Sequence, residues 1–158
     1  MLKRWVIYIA ILVVTVAVPV KPRNIGDMLP VRVVGIYKEG NRFRIDTDTG
    51  NQGYGATVGE ALQNLEDSAV GVVYLDTVEY LAITKETEAA VDMLRQRLKS
   101  GTEVCMVQGP LDLAKLGEYL DAHGTLPKLR NWKTSTEVPL MGVFEDSKTF
   151  LKKVEKRY

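Results

Sequence analysis

The 158 residues carry 21 basic and 20 acidic groups, with 46% apolar and 26% charged residues, the mix of one folded domain with a core of its own. Residues 1–23 hold four basic groups (Lys3, Arg4, Lys21, Arg23) and no acid, which leaves 17 of the 21 basic groups against all 20 acidic ones. A mildly acidic body is poor material for gripping a phosphate backbone, which argues against nucleic acid as a partner, and the single cysteine, Cys105, excludes an internal disulfide.

Trp5 to Val20 is a run of sixteen residues without a charge, flanked by Lys3-Arg4 and by Lys21-Pro22-Arg23. As a helix it would reach roughly 24 Å at about 1.5 Å per residue, somewhat short of a hydrocarbon core of about 30 Å. Residues 1–22 read as a signal-anchor helix, with Trp5, Ile7, Ile11, Val14 and Val18 among lipid and the Lys3-Arg4 flank in the cytoplasm. A signal peptide cleaved at Thr15-Val16-Ala17 is the competing reading, and a buried core segment is the third. Under the first two, residues 23–158 form an extracytoplasmic body.

Pro22 to Pro30 is a short linker, and Val31 to Tyr37 is a strand. Lys38-Glu39-Gly40-Asn41 has turn chemistry, and Arg42 to Thr49 returns with Phe43, Ile45 and Thr47 on one face and Arg42, Arg44, Asp46 and Asp48 on the other. That alternation predicts a hairpin with one solvated face. Gly50 to Gly55 is glycine-rich, but it lacks the lysine and hydroxyl of a phosphate loop and the spacing of a dinucleotide fingerprint. Asp46 to Asn51 echoes a calcium loop, yet its fifth position is Gly50 and its twelfth is Thr57, neither able to supply the oxygen ligand required.

From Gly55 the chain alternates helical and strand periods. Thr57 followed by Glu60 is a capping-box signature, and Val58, Ala61, Leu62, Leu65 and Ala69 form an apolar stripe behind it. Val72 to Leu75 and Val78 to Ile83 read as strands. Glu86 to Leu98 reads as a helix with Ala90, Val91, Leu94 and Leu98 inward, and Thr102 to Val107 as a strand. Gly109-Pro110 opens a third helix that buries Leu113, Leu116, Gly117 and Leu120 and closes at His123-Gly124. Thr125 to Thr136 is irregular with Trp132 as its anchor, and Val138 to Phe144 adds a strand or extended arm. Asp146-Ser147 caps a last helix with Phe150, Leu151 and Val154 inward. Its Lys148, Lys152, Lys153, Lys156 and Arg157 make either a solvated face or a contact with anionic headgroups. The expected fold is α+β, a mixed and mostly antiparallel sheet with three to four packed helices, preceded by the hydrophobic helix.

Catalytic signals are scarce. Cys105 lies inside an apolar strand and His123 at a helix end, and each is the only residue of its kind. No zinc-helix motif, paired-cysteine metal spacing or nucleophile elbow is present, so no catalytic, cofactor or metal residue is assigned. A binding or assembly module is the favoured class. The alternative, a small-ligand-binding domain or a carboxylate-dependent envelope enzyme, requires Asp46, Asp48 and Glu60 to converge in a concave pocket.

Four stretches carry a family resemblance: Arg23-Asn24-Ile25-Gly26-Asp27-Met28-Leu29, the hairpin from Val34 through Gly40 to Ile45, the helix opening Gly55-Ala56-Thr57-Val58-Gly59-Glu60-Ala61-Leu62, and the run of Tyr74-Leu75, Val78 to Leu81 and Glu86 to Leu98. In order and spacing they resemble, over residues 23–112, the N-terminal domain of the Ger(x)C family, lipoprotein subunits of spore-germination receptors. That family begins with a basic-x-Ile/Leu-x-Asp run and opens its helix with Gly-x-Thr-x-x-Glu-Ala. It attaches to membrane through a lipidated cysteine, which this chain lacks near Val20; the hydrophobic helix would take its place. The family's larger C-terminal portion has no counterpart here. The resemblance implies a stand-alone, membrane-held, non-catalytic part that binds another envelope protein in germination or sporulation, and it transfers no catalytic residues.

Overall fold

The computed structural model describes residues 7–8, 28–123, 126–133, 140–143 and 151–154. An unbroken apolar run, Val33-Val34-Gly35-Ile36-Tyr37, makes β2 (Val33–Glu39) a strand buried on both faces. The turn at Gly40 (φ +60°) sends the chain back as β3 (Arg42–Thr47), paired antiparallel from Val34↔Thr47 to Glu39↔Arg42. β4 (Gln52–Gly55) adds antiparallel to β3 with Ile45 opposite Gly53. On the other side of β2 lie β6 (Tyr80–Ile83) and β7 (Glu103–Val107), both parallel to it, and then β8 (Leu140–Val143) and β9 (Leu151–Val154). The sheet order is β4-β3-β2-β6-β7-β8-β9, while β1 (Met28–Pro30) and β5 (Val72–Tyr74) pair parallel as a separate ribbon.

Among the described residues three α-helices flank this sheet. On α1 (Val58–Ser68) the Thr57 hydroxyl accepts from the Glu60 amide at 3.1 Å, and the Glu60 carboxylate reaches back to the Ala56 amide at 2.8 Å. This is the capping-box exchange, displaced by one residue because Glu60 takes the amide preceding the cap. Val58, Ala61, Leu62 and Leu65 are buried as their spacing requires, while Ala69, the last residue of the expected stripe, is the C-cap and only half-buried. Gly53 and Gly55 let α1 rest on the backbone of β4; a Cβ at Gly53 would fall on the Ala61 carbonyl oxygen and lie 2.6 Å from the Leu65 nitrogen.

The expected helix from Glu86 to Leu98 is tighter and shorter. A 3-10 segment, Lys85–Ala90, leads into the single turn α2 (Val91–Leu94). Thr87 accounts for the tightening. Its hydroxyl accepts from the Thr84 amide at 3.0 Å and donates to the Ile36 carbonyl at 3.1 Å, where the β2–β6 pairing ends at Ile36↔Ile83. The inward set is unchanged, since Ala90, Val91, Leu94 and Leu98 join the α1 core. α3 (Leu113–His123) starts three residues after Pro110, with the Asp112 carboxylate accepting from the Lys115 amide at 3.2 Å. Leu113, Leu116, Gly117 and Leu120 are buried on it.

The body is therefore α+β with a mixed sheet, but the sheet is not mostly antiparallel. Its six pairings divide three and three, and the β1–β5 ribbon is parallel as well. The helical segments between β6, β7 and β8 are crossovers, and a crossover returns the chain parallel to the strand it left. Nor is one hairpin face solvated throughout. α3 covers Val33, Tyr37, Ala82 and Cys105 on the face opposite α1, and Asp46 is only 7% exposed. Trp132 anchors its segment as expected, 2% exposed, with the Arg95 guanidinium donating to its carbonyl. The strand expected in Val138 to Phe144 is β8. The expected last helix is not present over Leu151–Val154, where β9 pairs antiparallel with β8 from Leu140↔Val154 to Val143↔Leu151. Leu151-Lys152-Lys153-Val154 suits a lysine-bearing edge strand as well as a helix turn, and pairing with β8 decides between them.

Candidate functional site

The three carboxylates of the alternative reading do not converge. Asp46 accepts from the Arg44 guanidinium at 2.7 Å, and Arg44 also holds Glu39 at 2.8 Å. Asp48 receives the Arg32 backbone amide at 3.2 Å at the end of β3. Glu60 is engaged at the α1 cap, on the helix side of β4. Each acid is satisfied by its own local partner. Among the described residues no group of three or more His, Cys, Asp or Glu could hold a metal ion.

Cys105 and His123 lie in separate settings. Cys105 is fully buried under α3, and that burial pushes its thiol up to about 12, away from the thiolate a nucleophile needs. His123 stacks on Tyr119 with ring centroids 4.2 Å apart, its Nδ1 2.9 Å from the Tyr119 carbonyl, at the exposed end of α3. Tyr37 has its hydroxyl buried over Gly35 without a hydrogen-bond partner, the Leu111 backbone lying close but outside bonding geometry. Burial raises its pKa well above the usual phenol range, and the Asp46 charge adds to this.

The densest polar network is on the surface. Arg32 holds Glu79 and Asp121, each at 2.8 Å, and the Tyr80 hydroxyl donates to Asp121 at 2.9 Å. Arg32, then Tyr80, holds the Asp121 carboxyl below the usual range. Tyr80 is pushed up to about 12, by partial burial first and by Asp121 second. The network ties the starts of β2 and β6 to α3, a structural role.

Concave surface regions among the described residues include two large enough to receive a partner. The first lies between α1 and α2, a groove of about 540 Å³ lined by Val58, Leu62 and Met93 among others. A second hollow of about 460 Å³ continues along β5, past Val72, Tyr74 and Asp76. Both include Glu66 and Arg97, whose 2.7 Å ion pair spans the junction. Around this continuous depression stand Val70, Tyr74 and Met93, at 103%, 39% and 52% exposure. β5 has a strand neighbour only in β1 among the described residues, so its other edge is unpaired there. The strand expected from Val72 is β5, but the surface beside it has no sequence motif; Val70 is fully exposed next to Gly71, while Val72 is half-buried. The second region is a cavity of about 540 Å³ at the carboxyl ends of β2, β6 and β7.

Of the anchor residues, Ile7 alone is described. It is helical with Tyr8, and the two are 58% and 69% exposed, so Ile7 is not packed into the body. Trp5, Ile11, Val14 and Val18 lie outside the described residues, as do Lys148, Lys156 and Arg157 of the headgroup reading. No helix among the described residues is long and apolar enough to cross a membrane. Searches of family models, of curated proteins and of solved structures returned no match to the chain.

Proposed function

We propose that the protein is a non-catalytic binding or assembly module, held at the outer face of the cell membrane by residues 1–22, whose body docks on another envelope protein. The observation that carries the reading is the depression between α1, α2 and β5, with Val70, Tyr74 and Met93 exposed around it. Large apolar side chains gathered at a concave surface mark contact sites more often than scattered ones do. The charge-free run from Trp5 to Val20 supplies the tether, and the resemblance of residues 23–112 to the Ger(x)C N-terminal domain supplies the setting, spore germination or sporulation. The dispersal of Asp46, Asp48 and Glu60 weighs against the carboxylate-enzyme alternative.

The test is site-specific photo-crosslinking in intact cells. A photoreactive residue at Met93 is expected to give one defined adduct with a membrane or wall protein, and the same residue at Lys99, outside the depression, none. No adduct at Met93, or identical adducts at both positions, would remove the docking surface from the account.

A further inference from the structure

Of the parallel strands, β6 ends at Ile83, level with Ile36 of β2 and Met106 of β7, while β2 runs on to Glu39 and β7 to Val107. The chain leaves β6 and β7 toward opposite faces of the sheet. After β6 it passes to Ala90, Val91 and Leu94 in the α1 core, and after β7 it crosses to α3 and the other core. Adjacent parallel strands with diverging connections open a crevice beyond their carboxyl ends, the place where open sheets of this kind receive ligands. Here the crevice is the second 540 Å³ cavity, a volume suited to a small molecule.

Its lining is chemically directional. Tyr37, Met106, Val107 and Pro110 supply an apolar floor, and Lys38 and Lys85 stand among the polar groups of the lining. Among the described residues neither lysine has a carboxylate within ion-pair distance, whereas Arg32, Arg44 and Arg97 do. Of the two acids in the lining, Glu39 is held by Arg44, which leaves Glu86 against two free cations. We infer that this cavity binds a small amphipathic anion, its apolar body on Met106 and Val107 and its charged head between Lys38 and Lys85. The site is distinct from the α1–α2–β5 depression and goes beyond the docking role.

The experiment uses the full chain in neutral-lipid nanodiscs with 13C-methyl methionine, so that Met106 reports on the cavity and Met93 on the other surface. The probes are 3-phenylpropionate, phenyl phosphate and the uncharged 3-phenylpropanamide. Saturable shifts at Met106 but not Met93, with an anion binding at least tenfold more tightly than the amide, are the expected result; the tighter anion identifies the preferred head group. A Lys38→Gln, Lys85→Gln double variant should lose at least tenfold in anion affinity while its Met93 signal stays in place. Absence of saturation at Met106, equal binding of amide and anions, or undiminished affinity in the double variant would overturn the inference.

Discussion

Replacing Gly53 by alanine tests how α1 is seated. The new Cβ would fall on the Ala61 carbonyl oxygen, 2.6 Å from the Leu65 nitrogen and 2.7 Å from the Leu65 Cβ. Ordinary carbon contacts lie at about 3.5–4.0 Å, so α1 must lift by roughly 1 Å. Overpacking costs about 1–3 kcal/mol in general, and here the obstruction is mainly backbone, which has no rotamer to yield. Lifting also loosens Ala61 and Leu65, both fully buried. The upper end, about 3 kcal/mol, is therefore expected, or roughly a 10 °C fall in Tm for a body of this size. Two alanine variants serve as references. Gly101 has nothing within 4 Å and no left-handed backbone, so Gly101→Ala should be neutral or stabilising by about 0.4–1 kcal/mol. Gly40 is equally open but has φ +60°, so Gly40→Ala should cost about 1–2 kcal/mol from backbone strain alone. Urea unfolding of the full chain in micelles, followed by far-UV circular dichroism, ranks the three. If Gly53→Ala falls within about 0.5 kcal/mol of Gly101→Ala, α1 does not rest on β4 as described.

Other expectations follow from single groups. Thr57→Ala removes the 3.1 Å cap bond to Glu60 and should cost about 1 kcal/mol in the same urea titration. Thr87→Val keeps the shape but leaves the Ile36 carbonyl and the Thr84 amide unpaired, for a loss of about 1–3 kcal/mol and faster hydrogen exchange at Thr84. Cys105, raised by burial to about 12, stabilises the fold fully below the unfolded thiol's value of 9.0. That contribution is lost as pH climbs from there through about 12, so the urea midpoint should fall over this range and fall less steeply in Cys105→Ala. Arg32→Ala, by contrast, breaks ion pairs whose side chains are 44–46% exposed, so it should cost less than about 1 kcal/mol and less still in high salt.

The sequence was most readable where one period dominated. The α1 stripe from Val58 to Leu65 and the α3 stripe from Leu113 to Leu120 are buried residue for residue, because each needs only one apolar face to be placed. The second half of the sheet was harder. β6 and β7 are too short for their apolar residues to reveal a direction of pairing, and only the crossovers, which are long-range features, make them parallel. Thr87 hid the 3-10 turn, since its partner, the Ile36 carbonyl, is 51 residues away. Leu151 to Val154 fits two periods equally, and β8 selects the strand. The carboxyl-end cavity gathers residues 37–39, 84–86 and 106–110, far apart in the chain, and the α1–α2–β5 depression depends on how neighbouring elements pack, so no local motif announces either. Asp46, Asp48 and Glu60, which sequence proximity made attractive, are drawn apart by a cap and two arginines.

The central claim is that the chain is held in membrane with its body exposed on the outer side. Alkaline carbonate extraction of cell membranes, combined with protease treatment of intact spheroplasts, measures both parts of it at once. The account predicts that the chain stays with the lipid pellet and that the body is degraded by external protease, both lost when Ile11 and Val14 are changed to lysine. A chain released into the soluble fraction, or one protected from protease until the cells are lysed, would contradict it.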